Sequence, residues 1–315
     1  MSTGATAPIA TRRPRFRRAM ESPAFRVTED DIAIIRQIAR HRFLRSNHIA
    51  ALVGRSIDRT NDRLCNLYHA GYIDRPRAQL DYYPAGSAPI TYALADRGAR
   101  LLCAHDGIDL AHIEWSRKNR EAGRPFIEHQ LEIIDFQVAM QQATERAGHR
   151  FIDAGEIVAT RSSVSRNQPD PFAMRVAVTH DGRRHEIGLV PDLGFALGLA
   201  SGARRNFLVE IDRGSMPITR SDFSQTSIER KLRCYLAANA ARLPERQFGW
   251  KAFRVLTVTS DRHRVHSMIE ALQSIQPPGA AGSSLFLFIA RDELRASDPL
   301  NAPWRGADGQ THALL

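Results

Sequence analysis

The 315-residue sequence predicts an α/β (α+β) fold in two parts, and three observations carry that prediction. Apolar residues recur at helical spacing through residues 28–105, broken only by short turns. From residue 126 onward, apolar runs of strand length alternate with amphipathic helices. Between two such runs, His180-Asp181-Gly182 supplies the residue types of a tight hairpin turn. A hydrophobic content of 43% is enough to fill two cores. No apolar run reaches the roughly 18 residues of a membrane span, so the expectation is a protein of the cytoplasm with no membrane partner.

The net charge of +10 points to a polyanionic partner, double-stranded DNA first. Residues 1–27 carry six arginines, Arg12 and Arg13 among them, against Glu21 alone. They show no hydrophobic periodicity, which reads as a disordered basic arm able to follow a phosphate backbone. The three cysteines show no CxxC spacing, which argues against both a disulfide framework and a zinc site.

From Thr28 a helix is expected, with Asp31 three residues on in a capping-box relation and Ile32, Ile35 and Ile38 inward. After Phe43-Leu44-Arg45, Ser46 caps a short helix through Leu52, and Gly54 breaks the chain. A third helix, from about Ser56 to Ala70, turns Leu64, Leu67 and Tyr68 inward and places Arg55, Arg59 and Arg63 on one outer face. That order is a helix-turn-helix. Arg55, Arg59, Asn61, Arg63 and Asn66 are then candidates to meet DNA in a major groove. An extended stretch at Tyr72-Ile73 and its return at Pro89 to Leu94 make the wing of a winged helix, residues 28–105, and Arg75 and Arg77 flank the loop with Tyr82 and Tyr83. The same fold used only for protein contacts is the alternative.

Residues 106–125 read as a linker, and 126–298 as a second domain. Its first helix carries Ile127, Leu131, Ile134 and Val138 as one stripe, with Glu128 at the edge. Strands are expected at Phe151–Ala159, Met174–Thr179 and His185–Val190, continuing as one meander through Leu197 and Phe207. A helix follows from Ser227 to Ala240, capped by Thr226 and Glu229, with Lys231 at the border of its buried stripe. Then come a strand at Phe253–Thr259, a helix at His263–Ser274 and a strand at Leu285–Ala290, with residues 299–315 irregular. His263 and His266 have no acidic or cysteine companion nearby and read as a surface pair.

The chain is organised around Val190-Pro191-Asp192-Leu193 and Val209-Glu210-Ile211-Asp212. Residues i and i+2 of a strand share a face, so Glu210 and Asp212 point the same way, and pairing of the two strands brings Asp192 to them. Three carboxylates at close range raise each other's pKa, a conflict that a cation resolves, and a magnesium-type ion prefers such oxygen ligands.

This layout resembles the restriction-endonuclease-like PD-(D/E)xK core. Pro191-Asp192 matches its first half and Glu210-Ile211-Asp212 its second, except that Asp212 stands where lysine is usual. Lys231, on the following helix, is placed where some members of that superfamily supply the lysine. Winged helix and core together, over roughly residues 28 to 290, resemble the replication-relaxation family of plasmids and mobile elements.

The resemblance implies DNA binding in plasmid replication or mobilisation, with a relaxase or replication protein as a further partner. Two readings of the second domain follow from it, and the E-x-D departure favours the first. In one it is a degenerate nuclease that docks DNA or a relaxase, without a cofactor. In the other it is an active DNA endonuclease or nickase: Asp192 and Glu210 hold Mg2+, Glu128 adds a ligand, Asp212 joins the site, and Lys231 orients water. A winged-helix transcription regulator is a third alternative. GxGxxG, P-loop and HExxH fingerprints are absent from the sequence.

Overall fold

The computed structural model describes residues 15–21, 24–82, 89–107, 114–159, 170–280 and 282–315. The fold is α+β, and the chain separates into two compact units that divide between Val138 and Ala139.

In the first unit, α1 (Glu29–His41) starts at Thr28, whose backbone N–H and hydroxyl both donate to the Asp31 carboxylate, at 2.8 and 2.9 Å. After β1 (Phe43–Arg45) come α2 (Ser46–Leu52) and α3 (Ile57–His69). Between these two helices Gly54 adopts φ +64°, a conformation that costs other residues. Next are β2 (Ile73–Asp74), a 3-10 turn at Arg77–Tyr82, β3 (Thr91–Leu94) and α4 (Asp96–Asp106). The strands form an antiparallel sheet in the order β1-β3-β2. The contribution of Phe43-Leu44-Arg45 as a strand is not signalled by three residues alone; its pairing with Thr91–Ala93 creates it. Ile35, Ile38, Leu64, Leu67, Leu94 and Leu102 close one core. Gly98 lets α4 approach the sheet, because a Cβ there would lie 2.2 Å from the Tyr72 carbonyl oxygen.

The expected arm and linker both contain ordered structure. Arg18 donates to the Tyr68 and Ile73 carbonyls at 3.0 and 3.1 Å and pairs with Asp74 at 2.5 Å, so residues 15–21 are fastened to the first unit. Arg12 and Arg13 lie outside the described residues. Within the expected linker, α5 (Trp115–Glu121) buries Asn119, which donates to the Leu94 carbonyl at 2.7 Å. The unit boundary falls inside α6 (Arg124–Arg146) rather than ahead of it, since Ile127, Leu131, Ile134 and Val138 pack with the first unit's apolar residues. Asp135, on the same helix, receives Arg45 at 2.9 Å and His48 at 2.7 Å.

The second unit contains a seven-stranded mixed sheet. Its strands are β4 (Arg150–Ile152), β7 (Leu193–Gly198), β8 (Arg204–Ile211), β9 (Arg254–Thr259), β10 (Phe286–Ala290), β11 (Trp304–Arg305) and β12 (Thr311–His312). They run in the order β12-β11-β10-β9-β8-β7-β4, with β8, β9 and β10 mutually parallel and the other pairings antiparallel. The strand expected over Phe151–Ala159 stops at Ile152, because the Asp153 carboxylate accepts the Glu156 N–H and starts α7 (Ala154–Ala159). The hairpin of β5 (Met174–His180) and β6 (Arg183–Leu189) forms as expected, with Asp181 and Gly182 at φ +47° and +71° in the turn. It is, however, a separate two-stranded sheet and not the start of a continuous meander.

Helix α8 (Ile228–Ala240) is capped by Ser227, whose hydroxyl accepts the Arg230 N–H, and not by Thr226. Helices α9 (Leu243–Phe248), α10 (Arg262–Ile275) and α11 (Arg291–Arg295) complete the unit. Leu232, Tyr235, Val265 and Met268 pack against Leu208, Val255 and Phe286. The end of the chain, expected to be irregular, instead adds β11 and β12 to the sheet edge and buries Trp304 completely, its indole N–H donating to the Pro299 carbonyl at 3.0 Å.

Candidate functional site

Strand alternation puts Leu208 and Glu210 of β8 on the face covered by α8 and α10, and Asp212 follows in the same phase. Asp192 precedes the antiparallel β7, so it arrives at the same end of the sheet, where its Oδ2 accepts the Ile211 N–H at 2.8 Å. The paired strands thus bring Asp192, Glu210 and Asp212 to one end, as the sequence suggests.

Glu210, on β8, and Asp212, just past its end, each meet a cation of the chain. Glu210, only 6% exposed, accepts the Lys231 ammonium on one carboxylate oxygen and the Tyr235 hydroxyl on the other, the latter at 2.6 Å. Lys231 and Tyr235 are four residues apart and share a face of α8, which is why both reach one carboxylate. Asp212 accepts the Thr259 hydroxyl at 2.6 Å and both arms of the Arg264 guanidinium, at 2.5 and 3.0 Å. The same guanidinium also donates to the Met216 carbonyl.

Burial raises the pKa of Glu210, and the positive charge of Lys231 is the main force opposing that rise. Burial acts against the Lys231 ammonium, yet the carboxylates of Glu210 and Asp192 raise its pKa overall. The Tyr235 hydroxyl is driven well above its ordinary value by burial and by the adjacent Glu210, so it stays a donor. Asp192 acts electrostatically on Glu210, Lys231 and Tyr235 alike.

These contacts change what the acids can do. Both oxygens of Glu210 and both of Asp212 are engaged by donors of the chain, and positive charge already balances each. Glu128, expected as a further ligand, belongs to the first unit and accepts from Arg124 Nε at 2.8 Å. Among the described residues no group of three His, Cys, Asp or Glu side chains is arranged to hold a metal ion. The donor set as built does not fit a hard divalent cation.

On α3 the expected outer face is smaller than its arginine repeat suggests. Arg59 and Asn61 are exposed and have no partner among the described residues. Arg55 is paired with Asp30. Arg63 turns inward, donating through Nε to Asp31 at 2.7 Å and through Nη2 to the same fully buried carboxylate, with its guanidinium over the Phe25 ring. Asn66 is half-buried. Arg75 is likewise internal: only 9% exposed, it stacks on Tyr68 at 4.1 Å and donates to the Arg15 carbonyl. Arg77 is exposed, and Tyr83 lies outside the described residues.

Sequence reasoning missed Tyr235, Thr259 and Arg264 as partners of the acids. Tyr235 carried a usable signal, its i+4 spacing from Lys231. Arg264 and Thr259 carried none, because they reach Asp212 from 52 and 47 residues away.

A family model described as Replication-relaxation matches residues 35–249. No curated protein and no solved structure matches the chain. Among the described residues, no helix is long and apolar enough to cross a membrane.

Proposed function

The chain belongs to the replication-relaxation family, and from that premise we propose that it is a DNA-binding protein of plasmid replication or mobilisation whose nuclease-like unit docks rather than cuts. The first unit is proposed to be a winged helix that meets double-stranded DNA through α3. Its helix–strand–helix–helix–strand–strand order supports this, as do Arg59 and Asn61, exposed and without a partner among the described residues. Arg55 and Arg77 extend the proposed contact surface, whereas Arg63 and Arg75 serve the unit's own packing.

The second unit is proposed to be a restriction-endonuclease-like domain that docks DNA or a relaxase. One observation carries the preference for docking over cleavage: the acids that would act in a nuclease are neutralised internally, Glu210 by Lys231 and Asp212 by Arg264. Lys231 reaching Glu210 is also the observation that favours an active nickase, since it puts an ammonium beside the E-x-D acid in place of the missing lysine.

Supercoiled plasmid incubated with Mg2+ or Mn2+ separates the two. Wild-type protein is expected to shift the plasmid in a gel without nicking it. Metal-dependent nicking that disappears in Asp192→Ala and in Lys231→Ala would replace the docking reading with the nickase.

A further inference from the structure

At the opposite end of the parallel strands from the acids, the second unit holds a cleft of ≈ 410 Å³ lined by the cations Arg204, Arg205, Lys251 and Arg254 and by the neutral polar residues Asn206, Asn239 and Ser284. No carboxylate lines it. The distance along β8 from Arg204 to Glu210 is about 20 Å at roughly 3.3 Å per residue, so the two groups are separate features of one sheet.

The cations of this cleft are assembled by the sheet, not scattered on it. Parallel pairing of β8 with β9 sets Phe207 opposite Arg254, which draws Arg204 and Arg205 toward Lys251 and Arg254. Arg204 is held by Asn206, its Nε donating to Oδ1 at 2.9 Å, and Arg254 donates to the Ala313 carbonyl at 3.3 Å. Asn206 in turn donates to the Ala252 carbonyl at 3.0 Å. The side chains of Arg205 and Lys251 have no hydrogen-bond or ion-pair partner among the described residues, and both residues are exposed.

Glu156 acts electrostatically on Arg204 but is already paired with Arg150. Partial burial lowers the pKa of Arg254, and Arg205 lowers it further, as expected for neighbouring cations. Gathering four positive groups is unfavourable in the isolated protein, and an external polyanion would reverse that term.

We propose that this cleft binds the phosphodiester backbone of DNA, a second contact away from α3. The inference rests on the reading of the chain as a DNA-binding protein. The chemistry matches: arginine and lysine donors on phosphate oxygens, with asparagine and serine as neutral donors beside them, contact the backbone without reading sequence.

The test uses the full chain and a 40-bp duplex, with binding measured across a salt series. Charge reversal in Arg205→Glu/Lys251→Glu is expected to weaken binding about tenfold or more at ~0.1 M salt and to reduce the log–log salt slope by about two. The neutral pair Arg205→Gln/Lys251→Gln is expected to give the same change in slope with a smaller loss of affinity, and guards against misfolding of the reversed variant. Both losses should be equal on unrelated duplex sequences, whereas Arg59→Ala should discriminate among them.

Unchanged affinity and slope in both pairs, with wild type still bound to DNA, would overturn the cleft inference alone. Failure of wild type to bind any duplex would overturn the DNA reading on which it rests. Tripolyphosphate binding that is lost in both pairs while duplex binding is unchanged would make the cleft a site for small phosphates, and would also overturn the proposal.

Discussion

The two ends of the second unit's sheet treat charge in opposite ways. At one end Glu210 and Asp212 are buried, and each carboxylate is matched by a cation of the chain. At the other, Arg205 and Lys251 are exposed and matched by nothing among the described residues. Solvent makes the difference. A buried carboxylate without a partner costs several kcal/mol, so folding requires Lys231 and Arg264 to be where they are. A hydrated cation costs little to leave alone and stays available for an outside anion. Charges of the first kind serve the fold, and charges of the second kind are the ones proposed above to meet a partner.

The largest effect is therefore expected at the acidic end. Arg264→Ala removes the bidentate partner of Asp212, whose side chain is only 6% exposed, and should cost about 3 kcal/mol or more in chemical denaturation. A loss below about 1 kcal/mol would mean that the acids are not held by their cations, and the comparison would fail. Lys231→Ala is expected to cost somewhat less, about 2 kcal/mol, because the lysine side chain is 27% exposed and its charge partly screened.

That second penalty should depend on pH in a direction set by Glu210. The folded pKa of Glu210 is raised, so its contribution to stability is fully present below the ordinary glutamate value and is lost as pH rises through the folded value. Without the ammonium the carboxyl titrates higher still. The gap between wild type and Lys231→Ala should thus widen from pH 4 to pH 7; a constant gap would show that the lysine acts through packing alone.

Asp135 gives the opposite sign in the first unit. Burial works against its ionised form, but His48 and Arg45 more than compensate and hold its pKa below the usual range. Its stabilisation is present above the unfolded pKa and lost as pH falls through the folded one. Acid unfolding monitored between about pH 5 and 2 should be shallower in Asp135→Asn.

The smallest effect belongs to the basic end. Arg205→Gln and Lys251→Gln should each change stability by less than about 0.5 kcal/mol, and a larger loss would reveal a structural role that the geometry does not show.

What could be read from the sequence followed the range of the interactions. Local signals gave the Thr28–Asp31 cap, the hairpin turn at Asp181-Gly182 and the apolar stripes of α1, α3 and α8, because residues within four of one another decide them. Period-two alternation placed Glu210 and Asp212 in one phase, and Lys231 does meet Glu210. Arg63 and Arg75 misled because their helical or loop spacing does not reveal an acid 32 residues earlier or two tyrosines at the right height to stack on. Phe151–Ala159 misled because the apolar run conceals Asp153, a cap recognisable only once the strand is seen to end. The basic cleft was invisible for a related reason. Arg204, Arg205, Lys251 and Arg254 become neighbours only through parallel pairing across an intervening helix pair.

The fastening of residues 15–21 has a practical consequence for anyone shortening the chain. Arg18 donates to the last turn of α3 through the Tyr68 carbonyl, the Ala19 N–H donates to His69 Nδ1, and the Arg15 carbonyl accepts from Arg75, the cation that lies over Tyr68 and Tyr92. Trimming the gene to begin at the first helix would remove those contacts together, leaving Arg75 without the Arg15 carbonyl and the Tyr68 and Ile73 carbonyls without Arg18. A fragment of the first unit intended for crystals or spectroscopy should therefore start before Arg15, even though its sequence there looks like dispensable tail.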